Sequence, residues 1–206
     1  ISVKNLPLHL NLEEYYQVSQ NRVEKNIVHF IFSGTLSKRK GFDIIIEVIE
    51  RLSKELYTFE LTIAGKGPLL KLLDNLKDDV KNKINYKGFV EFSELPSLYS
   101  TGNVILAPSR HDGWANSLVE GMASGMPSIS TMQNGSAVDI VENYKNGIIM
   151  SSLTRGSLYK AMKFYIKNKD KIHSMGRYAS ESTRPYTHFS GSSQFLSYIK
   201  KATESL

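Results

Sequence analysis

The residues best placed to do chemistry lie between Ala107 and Gly125, in APSRHDGWANSLVEGMASG, where a strand end runs through a glycine-containing loop into a helix. The two acids of this block, Asp112 and Glu120, are separated by seven residues. That spacing puts Asp112 on the loop and Glu120 about one turn inside the helix, so both face whatever the helix N-terminus holds. The amides of Ala115, Asn116 and Ser117, at a helix start beside the small residue Gly113, form an anion site with the helix dipole behind it. A diphosphate suits such a site, and Glu120 would then accept hydrogen bonds from the hydroxyls of an attached ribose. The pattern has a structural reading as well, because an Asp before a helix is often a cap and a helical Glu is usually solvated.

Two glycine loops carry weaker signals. GTLSKRKG, from Gly34 to Gly41, joins a glycine turn to three consecutive cations, Lys38, Arg39 and Lys40. It suits phosphate but is no P-loop, since Gly41-Phe42 follow Lys40 where a GK pair with Ser or Thr is required. Gly65-Lys66-Gly67-Pro68 begins like a dinucleotide fingerprint and fails at Leu70, where a third Gly or Ala is needed. Tight strand-to-helix turns use glycine anyway, so each loop also has a purely structural reading. No GxSxG elbow is present, which leaves acyl transfer without local support.

The elements that must position these loops follow from periodicity. IVHFIFSG is a nearly continuous apolar run ending in glycine, the mark of a strand buried on both faces. Phe42, Ile45, Ile46, Ile49 and Leu52 then recur at helical spacing. FELTIAG, INYKGFV, NVILAPS, MPSISTM and GIIM read as further strands, and Pro68 sits where a first helical turn tolerates proline. SELPSLYSTG reads as a short helix, and a helix from Ala115 is expected to bury Leu118, Val119 and Met122. Six strands with helices between them predict an α/β fold, a doubly wound Rossmann-like parallel sheet. Leu153 to Lys167, Lys171 to Ser182 and Ser192 to Glu204 read as additional C-terminal helices. Residues 1–26 are polar, with a weak helical signal around Leu12 to Val18, and read as a linker or lead-in to a domain spanning 27–206. Ligands of open parallel sheets bind outside the carboxyl ends of the strands, where these loops gather.

Composition narrows the class. The chain has 206 residues, 41% hydrophobic and 22% charged, enough apolar material for one packed domain. No apolar span of membrane length or signal peptide is visible, and a cytoplasmic setting is the default. Without cysteine there is no disulfide framework, thiolate nucleophile or zinc-thiolate site. The five histidines are scattered singly, so no structural metal is expected. A formal charge of +6 favours anionic partners, but the cations are not interleaved with aromatics as in a nucleic-acid module. The chain begins at Ile1 rather than Met and reads as part of something longer.

Taken in order, six blocks resemble the donor-binding, C-terminal half of family-four retaining glycosyltransferases of the GT-B fold, the glycosyl transferases group 1. They are FSGTLSKRKGFDIIIEVIERL, LTIAGKGPLL, INYKGFVEFSELPSLYSTGNVILAPS, DGWANSLVEGMASGMPSIST, QNGSAVDIVENYKNGIIM and MGRYASESTRPYTHFS. The resemblance implies transfer of a sugar from a nucleotide diphosphate sugar to an acceptor hydroxyl, on a glycan or lipid-linked saccharide, with anomeric configuration retained and without a cofactor or metal. It makes Gly34 and Lys40 the glycine and lysine that approach the donor diphosphate, Lys40 acting catalytically with Ala115 to Ser117 on the leaving group. Gly65 and Gly67 would flank the donor pocket, Gly88 to Val90 and Leu95 would hold the nucleobase, and Glu120 would bind the ribose. Asp112 would lie by the transferred sugar as the second catalytic residue, beside Trp114. Two positions depart from the pattern: Thr35 stands where an Arg is frequent, and the first acid is Asp112 rather than Glu. The implied partner besides the nucleotide sugar is an N-terminal acceptor domain, absent from these residues, which would bring the protein to a membrane surface; the isolated piece is expected to be inactive. A GT-B epimerase, a phosphorylase and a non-catalytic nucleotide-binding module share the architecture and remain alternative readings.

Overall fold

The computed structural model of the chain describes residues 8–203; residues 1–7 of the expected lead-in, and Glu204 at the end of the last expected helix, lie outside the described residues. The chain runs α1 (Glu13–Gln20), β1 (Val28–Ser33), α2 (Phe42–Lys54), β2 (Phe59–Ala64), α3 (Asp78–Lys81), β3 (Ile84–Gly88), α4 (Leu95–Thr101) and β4 (Val104–Ala107). It continues through α5 (Asn116–Ala123), β5 (Ser128–Thr131), α6 (Gly135–Ile140), β6 (Gly147–Met150), α7 (Arg155–Lys167), α8 (Lys169–Ser182) and α9 (His188–Thr203).

All six strands pair in parallel, in the order β3-β2-β1-β4-β5-β6. This is the doubly wound Rossmann-like sheet that the alternation of strands and helices predicts. Because side chains alternate across a strand, Phe30 and Phe32 of β1 enter one core with Phe42, Ile45 and Ile49 of α2. Ile31 enters the other, with Leu118, Val119 and Met122 of α5. A strand that feeds two cores is nearly all apolar: Val28–Phe32 are all buried, and the one polar side chain among them, His29, is satisfied by the Thr62 hydroxyl at 2.8 Å. The chain steps outward from β1 to β3, then returns to lay β4 beside β1, with Phe30 opposite Val104 and Phe32 opposite Leu106. The order reverses there, so the loops leaving β1 and β4 stand side by side.

Three segments differ from expectation. After Pro68 there is no continuous helix but a 3-10 turn at Leu70–Leu72 and the single helical turn α3. The backbone here is committed to the first loop: Leu36 N–H donates to Lys66 O at 3.0 Å and Leu69 N–H to Leu36 O at 3.0 Å. The stretch read as a turn before β6 contains α6. Within the expected lead-in, α1 packs into the second core through Leu12, Tyr15 and Tyr16, and the Tyr16 hydroxyl meets that of Thr183 at 3.1 Å.

Just beyond α1, Arg22 donates to the carbonyls of Tyr99 (2.8 Å), Gly102 and Ser124, at the C-terminal ends of α4 and α5. A cation there complements the negative ends of two helix dipoles and satisfies carbonyls the helices leave unpaired. Burial holds the guanidinium below its usual value, at about 10. Arg22→Ala is expected to lower stability by about 2 kcal/mol, read from the urea midpoint. Arg22→Lys should recover little of this, because a point ammonium cannot fork to three carbonyls. An unchanged midpoint in Arg22→Ala would refute the clasp.

Candidate functional site

The loops after β1 and β4 meet by close backbone contact. Gly41 has φ +78°, and a Cβ there would lie 2.2 Å from the Pro108 carbonyl oxygen. Arg110 N–H donates to Arg39 O at 2.8 Å, and the Arg110 guanidinium grips Asp43 of α2 through two bonds of 2.7 and 2.8 Å. The loops therefore form one unit across the point where the sheet reverses.

On that unit Lys40 Nζ donates to Asp112 Oδ2. The pair is well shielded, the two side chains being 17% and 10% exposed, whereas Arg39 lies 4.0 Å from the same carboxylate and is half exposed. The structure thus joins the two residues expected to act on the leaving group and the sugar, 72 positions apart in sequence. The Asp112 backbone is pinned from α6's side, its N–H on Gln133 O and its carbonyl receiving Gly135 N–H, both at 2.9 Å.

Beside the pair, Asn116 opens α5, whose N-cap Ala115 is extended and makes no side-chain capping bond. One expectation is corrected here: the Ala115 amide is not free but donates to Ser136 Oγ at 3.2 Å in a buried position. The Ser136 hydroxyl bonds Asn134 Oδ1 at 2.9 Å, and Asn134 Nδ2 donates to Ser130 Oγ at 3.1 Å. Loop and α6 are thereby fixed to each other, and of the three amides expected to be open at the start of α5, that of Ala115 is taken. Trp114 leans on Tyr186, ring centroids 5.3 Å apart, and joins the edge of the second core. Its Nε1 is buried without a hydrogen-bond partner among the described residues.

A cleft of about 320 Å³ opens next to β1, lined by Ser33, Gly34, Thr35, Ala64, Gly65, Lys66, Phe89, Val90 and Leu95. It unites six of the candidate residues: Gly34, Thr35, Gly65, Phe89, Val90 and Leu95. Gly65 has φ +133°, and a Cβ on it would fall 2.0 Å from Gly34 O, so its lack of a side chain is needed for the two loops to touch. Gly67 instead packs on the Leu36 backbone and is not part of the cleft wall.

Glu120 lies deeper than a solvated helix position, 5% exposed. Its Oε2 accepts from the Tyr99 hydroxyl at 3.1 Å. Burial raises the carboxyl above its ordinary range, and the Tyr99 hydrogen bond works against that rise. Burial, reinforced by the neighbouring Glu120 charge, pushes Tyr99 far above the usual phenol value, so it stays a neutral donor. The solvated reading of Glu120 does not fit this position. Sequence reasoning missed Tyr99, Ser33, Lys66, Asn134 and Ser136. Asn134 alone left a local trace, as an Asn preceding a short apolar helix.

Among the described residues no three His, Asp or Glu side chains gather as a metal site, and no helix is long and apolar enough to cross a membrane.

Comparison with known proteins agrees with this architecture. A model of the family described as Glycosyl transferases group 1 matches residues 13–182. An uncharacterized glycosyltransferase of Methanocaldococcus jannaschii is 27% identical over 187 residues, covering 86% of this chain and 51% of that protein. The chain therefore spans about half the length of that relative. Anabaena HepE, solved in complex with UDP, superposes with a TM-score of 0.74 at 16% identity, over 94% of this chain and 56% of that one. The C-terminal domain of a group 1 family glycosyl transferase from Francisella tularensis superposes with a TM-score of 0.68 at 20% identity, over 89% and 96%.

Proposed function

The chain belongs to the glycosyl transferases group 1 family, and from that membership we propose that it is the donor-binding half of a retaining glycosyltransferase. It would move a sugar from a nucleotide diphosphate sugar to an acceptor hydroxyl of a glycan or lipid-linked saccharide. Membership and the GT-B half-fold support sugar transfer from a nucleotide sugar. The observation that carries the finer reading is the Lys40 and Asp112 pair, with Asp112 just ahead of the start of α5 and Lys40 beside Gly34 of the cleft wall.

The chemistry follows from charge. A departing nucleoside diphosphate gains negative charge as its bond to the anomeric carbon breaks. Lys40 and the Asn116 and Ser117 amides neutralise it from a fixed geometry, without reorganising solvent. Once Lys40 turns to the diphosphate, Asp112 is released to orient the sugar or to steady positive charge at the anomeric carbon. The reading needs no cofactor: the compensating charges belong to the chain. The acceptor falls to an N-terminal domain outside these residues, which would also account for any approach to a membrane from the cytoplasm, and the isolated chain would bind donor without turnover.

Thermal unfolding in the presence of ADP, GDP and UDP tests this directly. At a concentration of 100 Kd the matching nucleotide adds about 2.7 kcal/mol, a rise of several degrees in Tm. If none of the three raises Tm at millimolar concentration, the donor-binding reading fails.

A further inference from the structure

Between the cleft and Glu120 stands Tyr99, which no part of the proposed chemistry uses. Ser33 ends β1 and lines the cleft. Its hydroxyl lies beside the Tyr99 oxygen, and the Tyr99 hydroxyl donates to Glu120 Oε2 at 3.1 Å. The three residues come from β1, α4 and α5, so the group spans the point where the sheet order reverses.

Tyr99 is completely buried. Tyr15 of α1 packs on its ring at a centroid distance of 5.8 Å, so the phenol cannot swing away from α5. The Tyr15 hydroxyl is itself buried with no hydrogen-bond partner among the described residues and does not compete for the carboxylate. An ionised carboxylate only accepts, and Tyr99 has one proton to give. Committing that proton to Oε2 fixes the plane of the carboxylate and leaves Oε1 as the acceptor for donors from outside.

We propose that Tyr99, with Ser33 beside it, is a positioning residue that turns Glu120 Oε1 toward the hydroxyls of a nucleotide's ribose, and that the site thereby selects ribonucleotides over nucleotides lacking those hydroxyls. The inference rests on the reading of Glu120 as the ribose ligand. A Tyr99 that merely filled the core would have no bearing on sugar preference.

The test is calorimetric titration of the 206-residue chain with ADP, GDP and UDP, each beside its 2′,3′-dideoxy counterpart. The wild-type chain should prefer the ribonucleotide about ten- to a hundredfold. Tyr99→Phe keeps the ring and should bring that ratio close to one while weakening dideoxynucleotide binding little; Ser33→Ala should lower the ratio partway. Tyr99→Phe folded and still showing the wild-type ratio overturns the proposal. Should Tyr99→Phe not fold, an undiminished ratio in Ser33→Ala overturns it instead. Glu120→Gln separates the two layers: a ratio that survives there refutes the ribose reading of Glu120. A ratio lost in Glu120→Gln but kept in Tyr99→Phe refutes only the positioning role.

Discussion

Lys40→Met lowers affinity for the matching nucleoside diphosphate about ten- to a hundredfold, and Asp112→Asn raises it. The first effect is the loss of a charge-assisted contact to the diphosphate, worth about 1.5–3 kcal/mol. The second follows from the pair seen here. Lys40 already holds Asp112 in a shielded position, so a diphosphate must take Lys40 from that carboxylate while bringing more negative charge beside it. Asparagine removes both the competitor and the repulsion, and several-fold tighter binding of the nucleotide without its sugar is expected. Transfer by a longer protein carrying the proposed N-terminal domain should nevertheless fall in both variants. Lys40→Met removes leaving-group stabilisation, a loss of about 10²–10³ by comparison with single oxyanion donors, and Asp112→Asn removes the charge set against the sugar. Stability also separates the variants. Lys40→Met leaves the shielded Asp112 carboxylate with only the half-exposed Arg39 4.0 Å away and should lower unfolding free energy by about 1–3 kcal/mol. Calorimetry of the four chains of the double-mutant cycle reads the coupling between the residues. Equal weakening of nucleotide binding by Lys40→Met and Asp112→Asn would sink the exchange of partners proposed for Lys40.

What was legible in the sequence is what local pattern can carry. A doubly buried strand such as Val28–Ser33 is mostly apolar, with only His29 and Ser33 polar, and a helix over one core must repeat its apolar residues as α2 does. Strand order and the gathering of loops then follow from connection rules, which is why Asp112 and Lys40 could be expected near each other before any distance was known. The bonds that fix these groups are different in kind. Tyr99 meets Glu120 across 21 positions and Arg22 reaches Ser124 across 102, and neither partner marks the other in sequence. Arg22 sits in a polar stretch that reads as linker because nothing apolar surrounds it, yet it ties the ends of two helices. Ser136 shows the same limit from the opposite side: a helix start supplies free amides in principle, and here one of them is already taken by a hydroxyl 21 residues away.

Glu120→Gln separates the cost of this carboxylate to the fold from its use in binding. Burial raises the Glu120 carboxyl above its unfolded value, so the folded chain disfavours the ionised form. The sign follows. Between the unfolded and folded pKa values the native state holds more protons than the unfolded state, so unfolding free energy falls as pH rises through that window. Above the folded pKa the penalty is fully present; below the unfolded pKa, about 4.3 for Glu, it is gone. Glutamine carries no charge and still offers a carbonyl oxygen to the Tyr99 hydroxyl. Without nucleotide, Glu120→Gln should therefore match or exceed the wild-type Tm at neutral pH, and that advantage should shrink as pH is lowered through the folded pKa. With nucleotide the order reverses. A neutral amide is a weaker acceptor for ribose hydroxyls than a carboxylate, and a loss of about 2 kcal/mol in binding corresponds to roughly thirtyfold in Kd. Most of the nucleotide-induced rise in Tm should disappear with it. Wild-type affinity should itself weaken as acid protonates Glu120, while Glu120→Gln stays flat across the same range. A stability difference between the two chains that does not change with pH would show that the buried carboxylate carries no penalty. An undiminished nucleotide shift in Glu120→Gln would show that the ribose lies elsewhere. A carboxylate at 5% exposure costs stability wherever it is ionised without ligand, and in the proposed reading the two hydroxyl donors of a ribose offset that cost.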